Sequence, residues 1–544
     1  MSGDALPLFC LDDLERLYDD PGHVGRLAGL LRSTPSDAVV VGAGDDTALG
    51  TLAVLAERAG TDATPLLPGG VVDADSTDGG VTHPDADGTG TTHADAGASD
   101  ETTGPDAVSV PDRGRGLAGP LFDAVAHDAE TVGNHDLDLG GEWATEWVDR
   151  VPATYCCANL VEPELPVPGH TVVERDDTRV GIVGVTHPDL SAYLLAREAA
   201  ATDPVPAARE ELAALRDRGV DHTVVLSHCG AHDERVARET DADAVVGAHV
   251  HERLLAVVDG TPLVRSGGPD AVVELALGAA DPSVTVHRLT PQATTGADDD
   301  TPSDGADDAT AGDTRLAVDL RDATDAPVHE PTRDRYRALR TELGADEPVA
   351  TVAESIRRGS PERTGGESRA GNFLADAIRT AVGTDCALFF VGSMRAGPPL
   401  SGTVDVGDVV SLAPFDDTVR ELRLTGAELR QVLADCGTPH PGDRGWVHVH
   451  VAGLRVRWDE TGALRSVRLV DDESNAADAA SPLPETETYR VATQGAFVET
   501  DGYGPADSAH VVREDTEMLP ALVRHAADGG LNVGVEGRIG RGES

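Results

Sequence analysis

Ala38-Val-Val-Val-Gly-Ala-Gly-Asp45 is a short β-rich apolar run that breaks off into a Gly-Asp pair, and the same plan recurs through the first half of the chain. Val180–Val185, Thr223–Leu226 and Ala244–Val246 are further candidate buried strands, and amphipathic stretches such as Ala207–Arg216 lie between them. This alternation predicts an α/β fold. After residue 314 the pattern continues: Gly371–Val382 puts Phe373, Leu374, Ile378 and Ala381 on one helical face, and Thr425-Gly-Ala-Glu428 is a capping box that opens another helix.

Five clusters of acid, amide or imidazole residues punctuate the first half, most of them just after a predicted strand, where an open α/β sheet gathers its functional loops. They are Asp13-Leu-Glu15, Gly44-Asp45, Gly133-Asn-His-Asp-Leu-Asp138, Ser227-His228 and Gly247-Ala-His-Val-His251. Singly each is weak, because an aspartate after a strand is often a helix cap and a lone histidine is often structural. Hard oxygen and imidazole donors in such number suit divalent cations, and two adjacent cations need a carboxylate that touches both. In Cys10-Leu-Asp-Asp-Leu-Glu15, Asp12 is an alternative to Asp13, which preserves the two-residue spacing to an acid.

In this order the clusters resemble the calcineurin-like metallophosphoesterases, whose pattern runs Asp-x-His, Gly-Asp, Gly-Asn-His-Asp/Glu, a strand-end His and Gly-His-x-His. The match covers residues 8–255, with GNHDLD and GAHVH its most specific parts. The resemblance implies that Asp45 bridges two ions, one held also by Asp13, Glu15 and His251, the other by Asn134, His228 and His249. It implies that His135 binds no metal and instead donates to the scissile phosphate, oriented by Asp138 or alternatively Asp136, while a metal-bridging hydroxide attacks phosphorus. The usual Asp-x-His reads Asp-x-Glu here; the added negative charge favours manganese over zinc, with cobalt or magnesium as other candidates.

Glu367-Ser-Arg-Ala-Gly-Asn372, Gly392-Ser-Met-Arg395, Leu412-Ala-Pro-Phe415 and Leu424–Leu429 resemble the C-terminal substrate domain of 5'-nucleotidases, over roughly residues 350–510. By that resemblance Asn372 and Arg395 are polar substrate contacts, Phe415 and Phe497 are the rings that sandwich the base, and Asp501 contacts ribose. The family's Asn-Gly-Gly-Gly-Ile-Arg reads Phe390-Val-Gly-Ser-Met-Arg395 here, and its GGDGY is shortened to Thr500-Asp-Gly-Tyr503. The expected fold is a four-layer αββα metallophosphoesterase sandwich (residues 1–290), an acidic linker and connecting helix (291–345) and an α/β substrate domain (346–540). The expected reaction is hydrolysis of nucleoside 5'-monophosphates. A 2',3'-cyclic-nucleotide phosphodiesterase, a UDP-sugar hydrolase and a catalytically weakened nucleotide-binding protein are the alternatives.

Bulk properties bound the rest. The 544 residues exceed one ordinary core, so two domains are expected. Net charge is -53, from 96 acids against 43 basic residues, every one of them arginine. Such a field repels nucleic-acid phosphates and anionic lipid, which argues against a nucleic-acid polymer or a membrane as partner. With 3% aromatics and no lysine, the composition resembles that of proteins from salt-loving archaea. Six cysteines without CxxC spacing predict buried reduced thiols, and the acid-interrupted N-terminus predicts a cytoplasmic protein. Residues 71–112, about Pro291–Thr314 and about Asp471–Pro484 are Gly/Asp/Thr/Ala-rich tracts, read as disordered.

Overall fold

A computed structural model describes residues 5–61, 63–66, 114–125, 127–190, 198–279, 281–289, 314–437, 445–470, 481–500 and 502–542. Residues 71–112, 291–313 and 471–480, and with them most of the three tracts just named, lie outside the described residues, as does Asp501.

Two seven-stranded sheets form the first half. In one, Leu6–Leu11 pairs in parallel with Val39–Gly42 and antiparallel with Ala271–Leu277, and Ala129–Glu130 continues the parallel side. In the other, Thr178–Thr186, His222–His228 and Ala244–Gly247 run parallel. Because side chains alternate along a strand, runs such as Val39-Val-Val41 can be apolar throughout only if both faces are covered. They are: Leu8, Cys10, Val39 and Val41 meet Ile182, Val224, Leu226 and Val246 between the sheets. On the outer side of the first sheet, Phe9, Leu11 and Val40 share a core with Leu27 and Leu31 of helix Pro21–Arg32 and Leu52 and Leu55 of helix Thr51–Ala59. Val183, Val185, Val225 and Val245 of the second sheet pack on Val205, Ala208, Leu212 and Leu215 of helix Pro204–Asp217. The result is the four-layer αββα sandwich, and all six cysteines are free and buried within the fold.

Residues 314–342, within the stretch read as connecting, build onto this sandwich. Ala317–Asp322 adds a parallel edge strand to Ser283–Arg288, and Thr314–Arg315 pairs with Leu254–Val258 of the other sheet. The chain then crosses helix Pro21–Arg32, where the His329 N–H donates to Gly25 O at 2.8 Å. Helix Glu330–Glu342 follows, its buried Tyr336 donating to Leu117 O at 2.5 Å. The crossing requires a glycine: a Cβ at Gly29 would stand 1.5 Å from Pro327 O. Alanine is preferred over glycine inside a helix by about 1 kcal/mol, but this overpacking costs about 1–3 kcal/mol or more. Gly29→Ala should therefore lower the urea midpoint; a rise would mean the two backbones do not approach so closely.

The second half carries a five-stranded sheet in the order Val449–Ala452, Cys386–Phe390, Thr488–Gln494, Thr418–Thr425, Val511–Glu517. Helix Arg369–Val382 covers it through buried Phe373, Leu374 and Ile378, starting two residues earlier than the apolar period suggests because Ser368 Oγ accepts from Gly371 N at 3.1 Å. Thr425 and Glu428 cap helix Gly426–Asp435 reciprocally, Thr425 N donating to Glu428 Oε2 at 2.7 Å. The halves share packed apolar surface and an ion cluster in which buried Arg58 pairs with Asp416 and, at 2.6 Å, with Glu517. No described helix is long and apolar enough to cross a membrane.

His450 makes this half acid-sensitive. Its Nε2–H donates to Arg363 O at 3.0 Å, so only Nδ1 can take a proton, and that atom is buried without a partner. Burial pushes the imidazole down to about 4. A depressed histidine leaves the unfolded chain binding more protons, so stability falls as pH drops from about 6.5 towards 4, by roughly 3 kcal/mol from this group alone. His450→Gln should flatten that part of the stability–pH curve; an unchanged slope would rule the group out.

Candidate active site

The predicted ligands sit where the parallel strands end. Asp13 and Glu15 follow Leu6–Leu11, Asp45 follows Val39–Gly42, Asn134 and His135 follow Ala129–Glu130, His228 closes His222–His228, and His249 and His251 follow Ala244–Gly247. Six described non-glycine residues have positive φ, and four of them are Asp13, Glu15, Asp45 and His249, at 52°, 24°, 58° and 74°. Left-handed backbone at residues other than glycine costs energy and persists only where surrounding contacts impose it. Here those contacts are the site's own: His249 N donates to Asp13 Oδ2 at 3.0 Å, and His135 N to Asp45 Oδ1 at 2.7 Å. Gly133 permits the second, since a Cβ there would lie 2.1 Å from Asp45 Oδ1.

Two donor groups result. Asp45, His228 and His249 bring ligand atoms within 4.8 Å of one another, and so do Asp13, Glu15 and His251. In the first, His228 Nε2 is 3.0 Å from Asp45 Oδ2, 3.2 Å from Asn134 Oδ1 and 3.3 Å from His249 Nδ1, while His249 Nδ1 is 2.8 Å from Asn134 Oδ1. Donors that share an ion at about 2.0–2.2 Å stand about 3.0–3.5 Å apart, so this spacing fits a divalent cation. The other nitrogen of His228 donates to Ala43 O at 2.8 Å, which fixes the ring and directs Nε2 inward. In the second group, His251 Nε2 is 3.7 Å from Asp13 Oδ1 and 3.5 Å from Glu15 Oε1. Asp45 also groups with Glu15 and His135, so its carboxylate reaches both sides.

Charge at the site is balanced by protons. Burial would lower His228, but Asp45 and Asp13 carry it up to about 10; hydrogen bonds to Asp13 and Glu15 carry His251 up to about 11. His249, buried beside His228, is pushed down to about 3. Two imidazolium ions thus stand where cations would complete the charge, and metal uptake would release their protons. His135 faces the site without joining either histidine-centred pair of donors. Its Nδ1–H donates to Asp138 Oδ2 at 2.8 Å, leaving Nε2 4.0 Å from Glu15 Oε1. Burial opposes its charge, yet Asp45, Asp138 and Glu15 raise it to about 9.

Tertiary structure separates the alternatives left open by the sequence. Asp12 turns away, accepting from Ser266 N at 3.0 Å and Gly267 N at 3.1 Å. Asp136 accepts from Gly133 N at 2.8 Å and Asp45 N at 3.1 Å, so it braces the loop and Asp138 is the partner of His135.

On the opposite side, the Arg395 guanidinium carbon lies 4.5 Å over the half-buried Phe415 ring. Burial pushes Arg395 down to about 10, while Glu15 and Asp138 of the first half favour its charge. Arg16 ties the same loop by donating to Ala396 O at 2.9 Å.

Two other substrate candidates are placed differently. Asn372 is buried, its amide donating to Glu367 Oε1 at 2.7 Å and Gly534 O at 2.8 Å, which makes it a brace of the helix start. Phe497 is fully buried against Tyr503 and Phe390, ring centroids 4.6 and 5.5 Å away. The half-buried member of that cluster is Phe390, whose place inside the apolar run Ala387–Val391 gives it the look of core in the sequence.

Residues 348–504 match the family described as 5'-nucleotidase, C-terminal domain. The chain is 22% identical over 410 residues to Endonuclease YhcR of Bacillus subtilis, covering 69% of this chain but 31% of that protein. It is 24% identical over 464 residues to an apyrase of Tabanus yao, covering 76% of this chain and 78% of the apyrase. Among solved structures, the 5'-nucleotidase precursor from Thermus thermophilus superposes with a TM-score of 0.65 at 19% identity, covering 99% of this chain and 100% of that one. Residues 348–504 thus resemble 5'-nucleotidase C-terminal domains, and the described residues share the fold of a solved 5'-nucleotidase precursor.

Proposed function

We propose that the protein is a dinuclear-metal phosphomonoesterase that releases phosphate from nucleoside 5'-monophosphates. The observation that carries this reading is the convergence of Asp13, Glu15, Asp45, Asn134, His228, His249 and His251 from separate strand ends, beside a His135 that groups with Glu15 and Asp45 and keeps Nδ1 on Asp138. Asp13, Glu15 and His251 would hold one cation and Asn134, His228 and His249 the other, with Asp45 shared. The hard, carboxylate-rich set that Glu15 creates favours manganese. Bound there, the cations would supply Lewis acidity and offset charge on the phosphoryl oxygens.

The chain's own residues do the rest. His135, held as an imidazolium by Asp138, presents Nε2–H to the phosphoryl or leaving oxygen and can pass it a proton. Arg395 adds positive charge from the second half, held in place by its stack on Phe415 and by bonds to Gly392 O at 2.8 Å and Met394 O at 3.1 Å. Phe415 and Phe390 offer aromatic surface for a base, which stacking recognises without hydrogen-bond readout.

Phosphate release is measured in high salt with manganese, from nucleoside mono-, di- and triphosphates, 2',3'-cyclic nucleotides and UDP-sugars. Turnover of monophosphates above the rest supports the reading; preference for another panel member moves the assignment to that ester. No release from any, with metal bound, would sink the enzyme reading in favour of a nucleotide-binding protein.

A further inference from the structure

Asp46, His127 and Glu130 form a second cluster of ligand-type side chains, behind the Asp45 loop, each with a ligand atom within 4.8 Å of the others'. All three are buried, His127 to 7% exposure and the two acids completely. Each carboxylate has one oxygen satisfied by backbone: Asp46 Oδ1 accepts from Leu14 N at 3.1 Å, and Glu130 Oε1 from Gly44 N at 2.9 Å and Thr131 N at 3.1 Å. The remaining oxygens, Asp46 Oδ2 and Glu130 Oε2, have no hydrogen-bond donor, and His127 Nε2 is buried without a hydrogen-bond partner as well. That nitrogen lies 3.0 Å from Glu130 Oε2, with its ring held flat on Phe122 at 4.8 Å and 7°. Both bare oxygens crowd the bare side of Gly42, where a Cβ would lie 2.0 Å from Glu130 Oε2 and 2.5 Å from Asp46 Oδ2.

Two facing carboxylates out of water must be neutralised. Protons shared among the three groups are the competing arrangement, since the Asp46 and Glu130 carboxyls meet each other and His127 Nε2 lies 3.0 Å from Glu130 Oε2. A divalent cation answers all three donors, because two carboxylates and a neutral imidazole balance its charge and match the donor types of zinc and manganese sites. We propose that Asp46, His127 and Glu130 bind a divalent first-row transition ion, distinct from the pair at the strand ends. Its role is to brace. Through Leu14 and Gly44 the two carboxylates hold the loops that carry Asp13, Glu15 and Asp45, so an ion here ties together the left-handed turns of the active site.

Full-length protein is loaded with manganese or zinc, desalted, and its metal-to-protein ratio counted by mass spectrometry, alongside His127→Gln, Glu130→Gln and His228→Ala. Each triad variant should carry one ion fewer than wild type, and His228→Ala should keep the triad ion while losing metal from the strand-end pair. Equal metal content in wild type and both triad variants overturns the proposal, whatever the phosphatase assay shows. Should a triad variant not fold, anomalous diffraction from wild-type crystals grown with manganese decides: a peak among Asp46, His127 and Glu130 supports the site, and none there overturns it.

Discussion

Replacing His135 with alanine should lower kcat by about 10²–10⁴-fold while leaving the metal content unchanged. The imidazole lies among the ligands but keeps Nδ1 on Asp138 at 2.8 Å, and the strand-end nitrogens that converge on Asn134 belong to His228 and His249. On the proposed reading its removal takes away a proton donor and leaves both cations their ligands. Asp138→Asn should reproduce part of the loss, because the amide cannot hold the imidazolium as the carboxylate does. The pH profile adds a check with a definite sign. His135 is raised to about 9 in the metal-free protein, and nearby cations oppose its proton, so the alkaline fall in kcat belongs at or below that pH. In His135→Ala that limb should vanish. A variant within tenfold of wild type, or one that has lost metal, would remove His135 from this role.

Asp45→Asn should do more damage by a different route. The side chain is nearly isosteric, but one amide oxygen cannot serve two cations, and the loss of several kcal/mol of charge stabilisation corresponds to a fall of about 10³-fold or more. Metal content should drop together with activity. Fold should survive, since His228 can give up its proton when its partner loses charge, which spares the protein an uncompensated buried ion. Asp45→Asn retaining both strand-end ions and more than a tenth of the activity would show that this carboxylate is not shared.

Most of the scaffold was legible along the chain. The valine-rich runs before Gly44-Asp45 and before Gly247-x-His-x-His read as strands covered on both faces that release the chain into polar loops, and the loops fall at one end of the sheets because the strands run parallel. The helix around Phe373, Leu374 and Ile378 and the Thr425–Glu428 cap are local features, fixed by spacing within a few residues. Asn372 and Phe497 show the limit. Both stand at motif positions, yet the amide nitrogen of one is taken by Glu367 and Gly534 and the other is sealed under Phe390 and Tyr503.

By itself, then, the sequence determined the donor types, their order along the chain and the strand ends that would carry them, because periodicity and turn chemistry act over neighbouring residues. Only the tertiary structure shows that Asp12 meets Ser266 and Gly267 while Asp13 meets His249, and that Asp136 is taken up by Gly133 and Asp45 while Asp138 bonds His135. The same holds for Glu15 favouring the charge of Arg395 and for Asp46 and His127 meeting Glu130. Asp12 with Ser266, Asp136 with Asp45 and Asp46 with Glu130 join residues 84 to 254 positions apart, and what brings them together is the closing of the sheets around one another, which no local pattern encodes.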